Sequence, residues 1–344
     1  MENSIDITLR PLRLGEILDG AIRLYRRNFW LFVSIIALAE IPFLLTQVVL
    51  PLVYTGDFPA SDPVADMFSA HWWIINSVNL FVRWIFVDGF GAAALTYAMA
   101  QRYLGQKTGI LDAYRRPGGS WLSLLVILLL FPALLFATLL WALVPCVGWF
   151  SGSGIFIFLS LAVMPLVPAA IMIENQGGLK GLLRAWDLAR RRFFWILGFN
   201  IVLSLFSWML SAGPSLVVSL LVTALIGSSL GAAQTADAFY GLVSSVSGTL
   251  FNMLFLPIQV GAWTLIYYDL RVRTEAFDLA LQAVDATEDA NRQVLLPPME
   301  KWLSMLDIAK IILASLLVIG LFALVYIVPI MLLLLIGILA GSGG

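Results

Sequence analysis

The sequence predicts an all-α, polytopic membrane helix bundle of about seven transmembrane helices (range 6–8), with interfacial amphipathic helices and a parallel internal repeat. Three observations predict it. First, 61% of the 344 residues are hydrophobic and only 12% charged, against roughly half and a quarter in a soluble domain. Mean hydropathy is correspondingly high at +0.95, and lipid must cover the excess. Second, apolar runs of the ~20 residues that a spanning helix needs recur along the chain. Third, the basic residues fall only in alternate connections between those runs, as the positive-inside rule requires.

Seven runs qualify: 29–54, 74–103, 120–146, 149–173, 193–212, 240–268 and 308–340. After Gly213-Pro214, the run Ser215 to Gly227 either extends the fifth span past a kink or forms a short half-helix. The seventh is long enough to tilt, or to break at Pro329. No cleavable signal peptide is expected, because charges occur throughout the first 28 residues and the first apolar run is too long. Of 20 Lys and Arg, 19 lie in the N-terminal segment, the 2–3 and 4–5 connections and the segment between the sixth and seventh spans. The other is Arg83, inside the second span. This pattern places the N-terminus in the cytoplasm and the C-terminus outside.

The chain accordingly divides into a cytoplasmic N-terminal amphipathic helix (1–28), a first repeat with four spans (29–173), and a second repeat (174–284). The second repeat holds an amphipathic helix, two spans and a juxtamembrane helix. A cytoplasmic linker (285–307) and a C-terminal span (308–344) follow. The repeat shows at an offset of 164, where Leu18, Ala21, Leu24, Arg26, Arg27 and Phe29 meet Leu182, Ala185, Leu188, Arg190, Arg191 and Phe193. At an offset of 170, Gly91-Ala92, Leu95 and Tyr97 meet Gly261-Ala262, Leu265 and Tyr267. Both copies share an orientation, so the repeat is parallel, with its pseudo-axis along the membrane normal. Small residues at Gly91 and Gly261 suit a close contact between the second and sixth spans.

The first polar helix aligns Leu14, Ile17, Leu18, Ala21, Leu24 and Tyr25 on one face, with Arg23, Arg26 and Arg27 mostly elsewhere. The second aligns Leu179, Leu182, Leu183, Trp186 and Ala189, and carries Arg190 and Arg191 before Arg192. Such helices either lie in the headgroup plane with arginines near phosphates or pack on the bundle's own ends. A third follows the sixth span, where Asp269 and Arg273, and Arg271 and Glu275, are spaced as i, i+4 ion pairs. These eight arginines (Arg23, Arg26, Arg27, Arg190, Arg191, Arg192, Arg271, Arg273) are the candidate contacts to lipid headgroups or a partner.

Glu40, Arg83 and Asp88 interrupt the apolar spans and form the candidate intramembrane polar site. Ionised groups at bilayer depth are costly and face protein, water or each other. Glu40 is 11 residues into the first span, about 16 Å deep at ~1.5 Å per residue. The expected arrangement is a Glu40–Arg83 ion pair with Asp88 further along.

The opening Leu9-Arg10-Pro11-Leu12, Leu14-Gly15-Glu16-Ile17-Leu18-Asp19 and Arg23-Leu24-Tyr25-Arg26-Arg27-Asn28-Phe29 resembles the start of the glycerophosphoryl diester phosphodiesterase membrane-domain family and its stand-alone relatives. Tyr267-Tyr268-Asp269-Leu270-Arg271-Val272-Arg273, with Glu275, Phe277, Asp278 and Leu279, resembles that family's closing motif. Thr274 and Ala276 depart from the basic residue and glycine of that motif. The resemblance covers residues 8–282 and implies a prokaryotic cytoplasmic membrane protein. It implies no activity, because phosphodiesterase chemistry in the named enzymes belongs to a separate soluble barrel.

No catalytic residue is expected. The single histidine, His71, cannot supply paired acid–base groups. Ser151-Gly152-Ser153-Gly154 resembles a nucleophile loop but reads as a turn, and the lone Cys146 reads as an apolar filler. No metal or cofactor is expected. A net charge of −1 argues against nucleic acid. The expected partners are membrane lipids, and other membrane proteins or a second copy. The function indicated is a non-enzymatic scaffold, assembly factor or subunit of a membrane complex. The alternative is a transporter or lipid-handling protein that uses the polar site between the first two spans.

Overall fold

The computed structural model describes residues 11–54, 70–115, 121–145, 147–175, 177–226, 233–275 and 304–322. Among these, every regular element is helical. Helix α1 (Leu14–Arg27) turns at Asn28 into α2 (Phe29–Tyr54). Helix α3 (Ala70–Val82) passes through a π-helical segment (Arg83–Gly91) into α4 (Ala92–Tyr103), and α5 (Ile110–Arg115) and α6 (Trp121–Ala142) follow. Helix α7 (Val147–Ile157) continues through a π segment (Phe158–Val163) and a 3-10 turn (Met164–Leu166) into α8 (Val167–Glu174). The remainder is α9 (Gly178–Arg191), α10 (Phe193–Ile226), α11 (Ala233–Glu275) and α12 (Met305–Phe322).

Six stretches are long and apolar enough to cross a membrane: Phe29–Gln47, Trp73–Tyr103, Leu122–Ala142, Val147–Glu174, Phe193–Val222 and Val246–Glu275. The chain is a multi-pass membrane protein, and these stretches coincide with the first six expected spans. The seventh begins as α12, and 323–344 lie outside the described residues, as does most of the 285–307 linker.

One open alternative is resolved and two local expectations change. Residues 215–226 form no separate half-helix, because α10 runs unbroken through Pro214. Proline forfeits one backbone hydrogen bond, whereas a full break would leave several groups unsatisfied in lipid. The third polar helix is not separate from the sixth span either. Helix α11 has 43 residues, about 64 Å at ~1.5 Å per residue, and outruns a hydrocarbon core of ~30 Å. Its last turns are the polar segment, described as far as Glu275. Finally, Ser151 to Gly154 is not a turn but part of α7. Each serine satisfies its hydroxyl on the carbonyl one turn back, Ser151 on Val147 at 2.6 Å and Ser153 on Trp149 at 2.7 Å. A β-carbon at Gly154 would collide with the Ile311 carbonyl of α12, so glycine there permits the α7–α12 contact.

The polar helices gather on the C-terminal half of α11. The Leu12 amide donates to Asp269 at 2.7 Å, and the Tyr25 hydroxyl donates to the Leu254 carbonyl at 2.6 Å. Burial pushes the Tyr25 hydroxyl up to about 12, so it remains a donor across the physiological range. Helix α9 reaches the same end of α11 through Arg184 and Glu275. The apolar stripes of both helices face protein: Ile17, Ala21 and Leu24 are buried on α1, and Leu182, Ala185 and Leu188 on α9. Each helix has 14 residues and is followed by a single non-helical residue, Asn28 or Arg192, before a long apolar helix. Tyr114 on α5 donates to the Ile35 carbonyl of α2 at 2.7 Å.

The second and sixth spans do meet, where Met99 of α4 lies against Gly261 of α11 beside Ala21. Gly91 makes a different contact, since a β-carbon there would stand 2.7 Å from that of Ala39 on α2. That separation closes the seam between the first two spans.

Gly154→Leu therefore separates α12 from α7. Overpacking of this kind costs about 1–3 kcal/mol, and thermal unfolding of the purified protein in detergent should fall accordingly. An unchanged midpoint would contradict the contact.

Candidate functional site

The intramembrane charges are arranged differently from the sequence expectation. Glu40, on α2, is 0% exposed and receives a hydrogen bond from Asn252 Nδ2 of α11 at 3.2 Å. Its Oε2 has no hydrogen-bond partner among the described residues. Arg83 does not pair with Glu40. It pairs with Asp88 at 3.8 Å, and its guanidinium lies 5.3 Å from the centre of the Phe43 ring.

The π-helical winding from Arg83 to Gly91 explains the correction. In an α-helix, residues five apart point about 140° from each other. A π-helix closes its bonds from i to i+5 and brings such residues toward one face. Arg83 thus finds its carboxylate in its own segment, and Glu40 is left to the α11 amide. The Arg83 and Asp88 side chains remain 30% and 36% exposed.

The second polar site lies where α8, α9 and α11 converge. Helix α8 ends after Glu174 because Asn175 adopts a left-handed conformation (φ 53°), which asparagine tolerates better than most residues. The reversal returns α9 so that Arg184 meets Glu174. The guanidinium Nε lies 3.0 Å from Glu174 Oε2, and Nη2 lies 3.2 Å from Oε1. Nη2 also reaches Glu275 at 2.6 Å. Arg271 Nε stands 3.4 Å from both carboxylates, and the Tyr267 hydroxyl donates to Glu174 Oε1 at 2.5 Å. The four charged side chains are 3–6% exposed, and two cations balance two anions. Burial works against the charge on Arg184, but its bonds to Glu275 and Glu174 outweigh it and raise its pKa.

Two smaller networks flank this one. Asp187 binds Arg190 at 2.6 Å and Arg191 at 2.9 Å, and Arg190 continues to Asp307 of α12 at 3.3 Å. Lys310 closes the contact, donating to the Arg190 carbonyl at 2.8 Å and lying 3.3 Å from Asp307. On the other side, Asp269 binds Arg273 at 2.8 Å, and Arg273 donates to the Leu12 carbonyl. Both i, i+4 pairs expected on α11 are present.

The eight candidate arginines therefore fall into two groups. Arg190, Arg191, Arg271 and Arg273 are committed to carboxylates within the protein. Arg23, Arg26, Arg27 and Arg192 are exposed. Sequence reasoning missed Glu174, Arg184, Tyr267, Asp187, Asp307 and Asn252. Asn252 alone carried a local signal, as an isolated amide within an apolar span. Among the described residues, no three His, Cys, Asp or Glu side chains cluster for a metal. The His71 side chain and Cys146 lie outside the residues described.

No family model, curated protein or solved structure matches the chain.

Asp307 supplies a pH-dependent prediction. Burial raises its pKa, but the Ser304 amide, Lys310 and Arg190 outweigh that and hold it below the ordinary value. A carboxyl depressed in the folded state stabilises above its unfolded pKa of ~3.9, and the benefit is lost as pH falls through the depressed folded value. Amide exchange in α12, corrected for intrinsic rate, should be slow at neutral pH and accelerate only at acidic pH. Asp307→Asn should be less protected at pH 7 and lose that acid dependence. An unaltered acid dependence in the variant would exclude Asp307 as its origin.

Proposed function

We propose that this protein is a non-catalytic membrane scaffold, assembly factor or subunit that meets a partner through the face of the π-helical segment carrying Arg83 and Asp88. One observation supports the reading above others: an ion pair within the second span is left about one-third exposed. Charges in hydrocarbon are expensive and ordinarily face protein or water. A polar transmembrane surface on a partner subunit satisfies them. Leu80, Phe81 and Phe86, each within three residues of Arg83, are exposed and supply apolar surface to such an interface.

The interior supports the same reading. Ala39 packs against Gly91 in the α2 seam, and Glu40 is buried with Asn252 donating to it. The unpartnered Glu40 Oε2 favours the alternative, a transporter or lipid-handling protein using a protonatable group between the first two spans. The gathering of the basic helices at one end supports a cytoplasmic N-terminus, and the family resemblance implies a prokaryotic cytoplasmic membrane. The matching bounds of α1 and α9 at the 164-residue offset support an internal duplication. The motif resemblance supports membership of the glycerophosphoryl diester phosphodiesterase membrane-domain family.

Extraction in a mild detergent followed by native mass spectrometry tests the assembly. The wild-type chain should emerge in a complex, and Arg83→Leu with Asp88→Leu should release it as a folded monomer. A wild-type monomer that drives Glu40-dependent solute flux in proteoliposomes would replace this reading with the alternative.

A further inference from the structure

We propose that the outward face of α1 binds the phosphate headgroup of an anionic phospholipid. Residues Asp19, Ile22, Arg23, Arg26 and Arg27 line a surface concavity of about 490 Å³. Arg23, Arg26 and Arg27 are spaced i, i+3, i+4, so they share one side of the helix. All three are exposed, as is Asp19. Three guanidinium groups against one carboxylate leave the concavity positive.

The contrast with the rest of the polar end makes this face distinctive. Arg190 and Arg191 occupy the corresponding end of α9, but Asp187 binds both and Asp307 of α12 also binds Arg190. Arg271 and Arg273 are likewise bound to carboxylates. On α1 the position corresponding to Asp187, at the 164-residue offset, is Arg23. A repulsive group has replaced the neutralising one, and among the described residues no carboxylate pairs with the cluster.

Position along the chain favours a lipid over a soluble anion or a protein. Trp30, three residues beyond Arg27, is 79% exposed at the first turn of the first span, as in an interfacial aromatic belt. The arginines therefore sit at headgroup level. From Trp30 the exposed residues Leu38, Ile41, Leu45 and Val49 continue along α2 at helical spacing. That stripe accommodates acyl chains beneath the bound phosphate. The proposal is independent of the Arg83–Asp88 interface.

Native mass spectrometry of the full-length protein in detergent, titrated with phosphatidylglycerol or phosphatidylcholine, tests it. Each arginine near an anionic surface contributes about a five-fold factor. Arg23→Gln, Arg26→Gln and Arg27→Gln together should weaken phosphatidylglycerol binding on the order of 100-fold, leaving phosphatidylcholine binding unchanged. Asp19→Asn, a single change at an exposed side chain, should strengthen phosphatidylglycerol binding several-fold. Arg192→Gln, exposed but outside the concavity, should have no effect. Equal binding of both lipids, or no response to either variant, would overturn the proposal. Glycerol phosphate competing as well as the lipid would reassign the site to a soluble anion and also overturn it. Displacement of lipid by a peptide of residues 276–303 would assign the surface to the chain's own acidic segment, with the same consequence.

Discussion

The four-membered ion cluster of Glu174, Arg184, Arg271 and Glu275 fixes how the helices of this protein converge. Each member comes from the end of a span or from the polar helix between two spans. Glu174 terminates α8, Arg184 sits on α9, and Arg271 and Glu275 end α11. Buried charges of this kind add little net stability compared with an apolar core, but losing one member costs about 3–5 kcal/mol because its partners remain buried and uncompensated. The cluster therefore acts chiefly as a specificity device. The observed placement of α8, α9 and α11 satisfies two guanidinium groups, two carboxylates and the Tyr267 hydroxyl together. That placement in turn presents Arg190 to Asp307 and seats α12. At the other flank, Asp269 and Arg273 anchor the chain entering α1.

Within the spans, shape takes over from charge. Lipid supplies no hydrophobic drive between helices, so close contacts depend on small residues. Gly91 meets Ala39, Gly154 admits α12, and Gly261 lies against Met99. The few polar side chains mostly satisfy themselves within the protein, by bonding a carbonyl one turn back or, like Trp84, a carbonyl of the adjacent helix. Arg83 and Asp88, paired with each other, stay about one-third exposed, and the arginine face of α1 is exposed outright. Those two surfaces, one within a span and one beside its entrance, are the charged faces of the described residues proposed to meet other molecules.

Much of the architecture was legible because hydropathy and charge placement are properties of contiguous sequence. The first six spans, the polar helices at one end and the two i, i+4 pairs on α11 all follow from local pattern. The Arg83–Asp88 pair was not legible, because the α-helical period separates those residues and only the π winding unites them. The principal cluster was hidden for another reason. Arg184 finds Glu174 ten residues away but Glu275 ninety-one away, and nothing local distinguishes those carboxylates from solvated ones. The continuity of α10 past Pro214 was ambiguous because sequence does not weigh a lost hydrogen bond against the cost of a break in lipid. The serine–glycine stretch misled for a similar reason: a turn composition in water becomes a packing surface in a membrane helix.

A double-mutant cycle on Arg184 and Glu275, using Arg184→Met, Glu275→Gln and their combination, measures directly whether the cluster governs assembly of the bundle. Reversible unfolding in detergent should give a coupling of about 2 kcal/mol or more between the two positions, with the double variant less damaged than the sum of the singles. Additivity within ~0.5 kcal/mol would mean that the pair is incidental and that packing alone holds α8, α9 and α11 together.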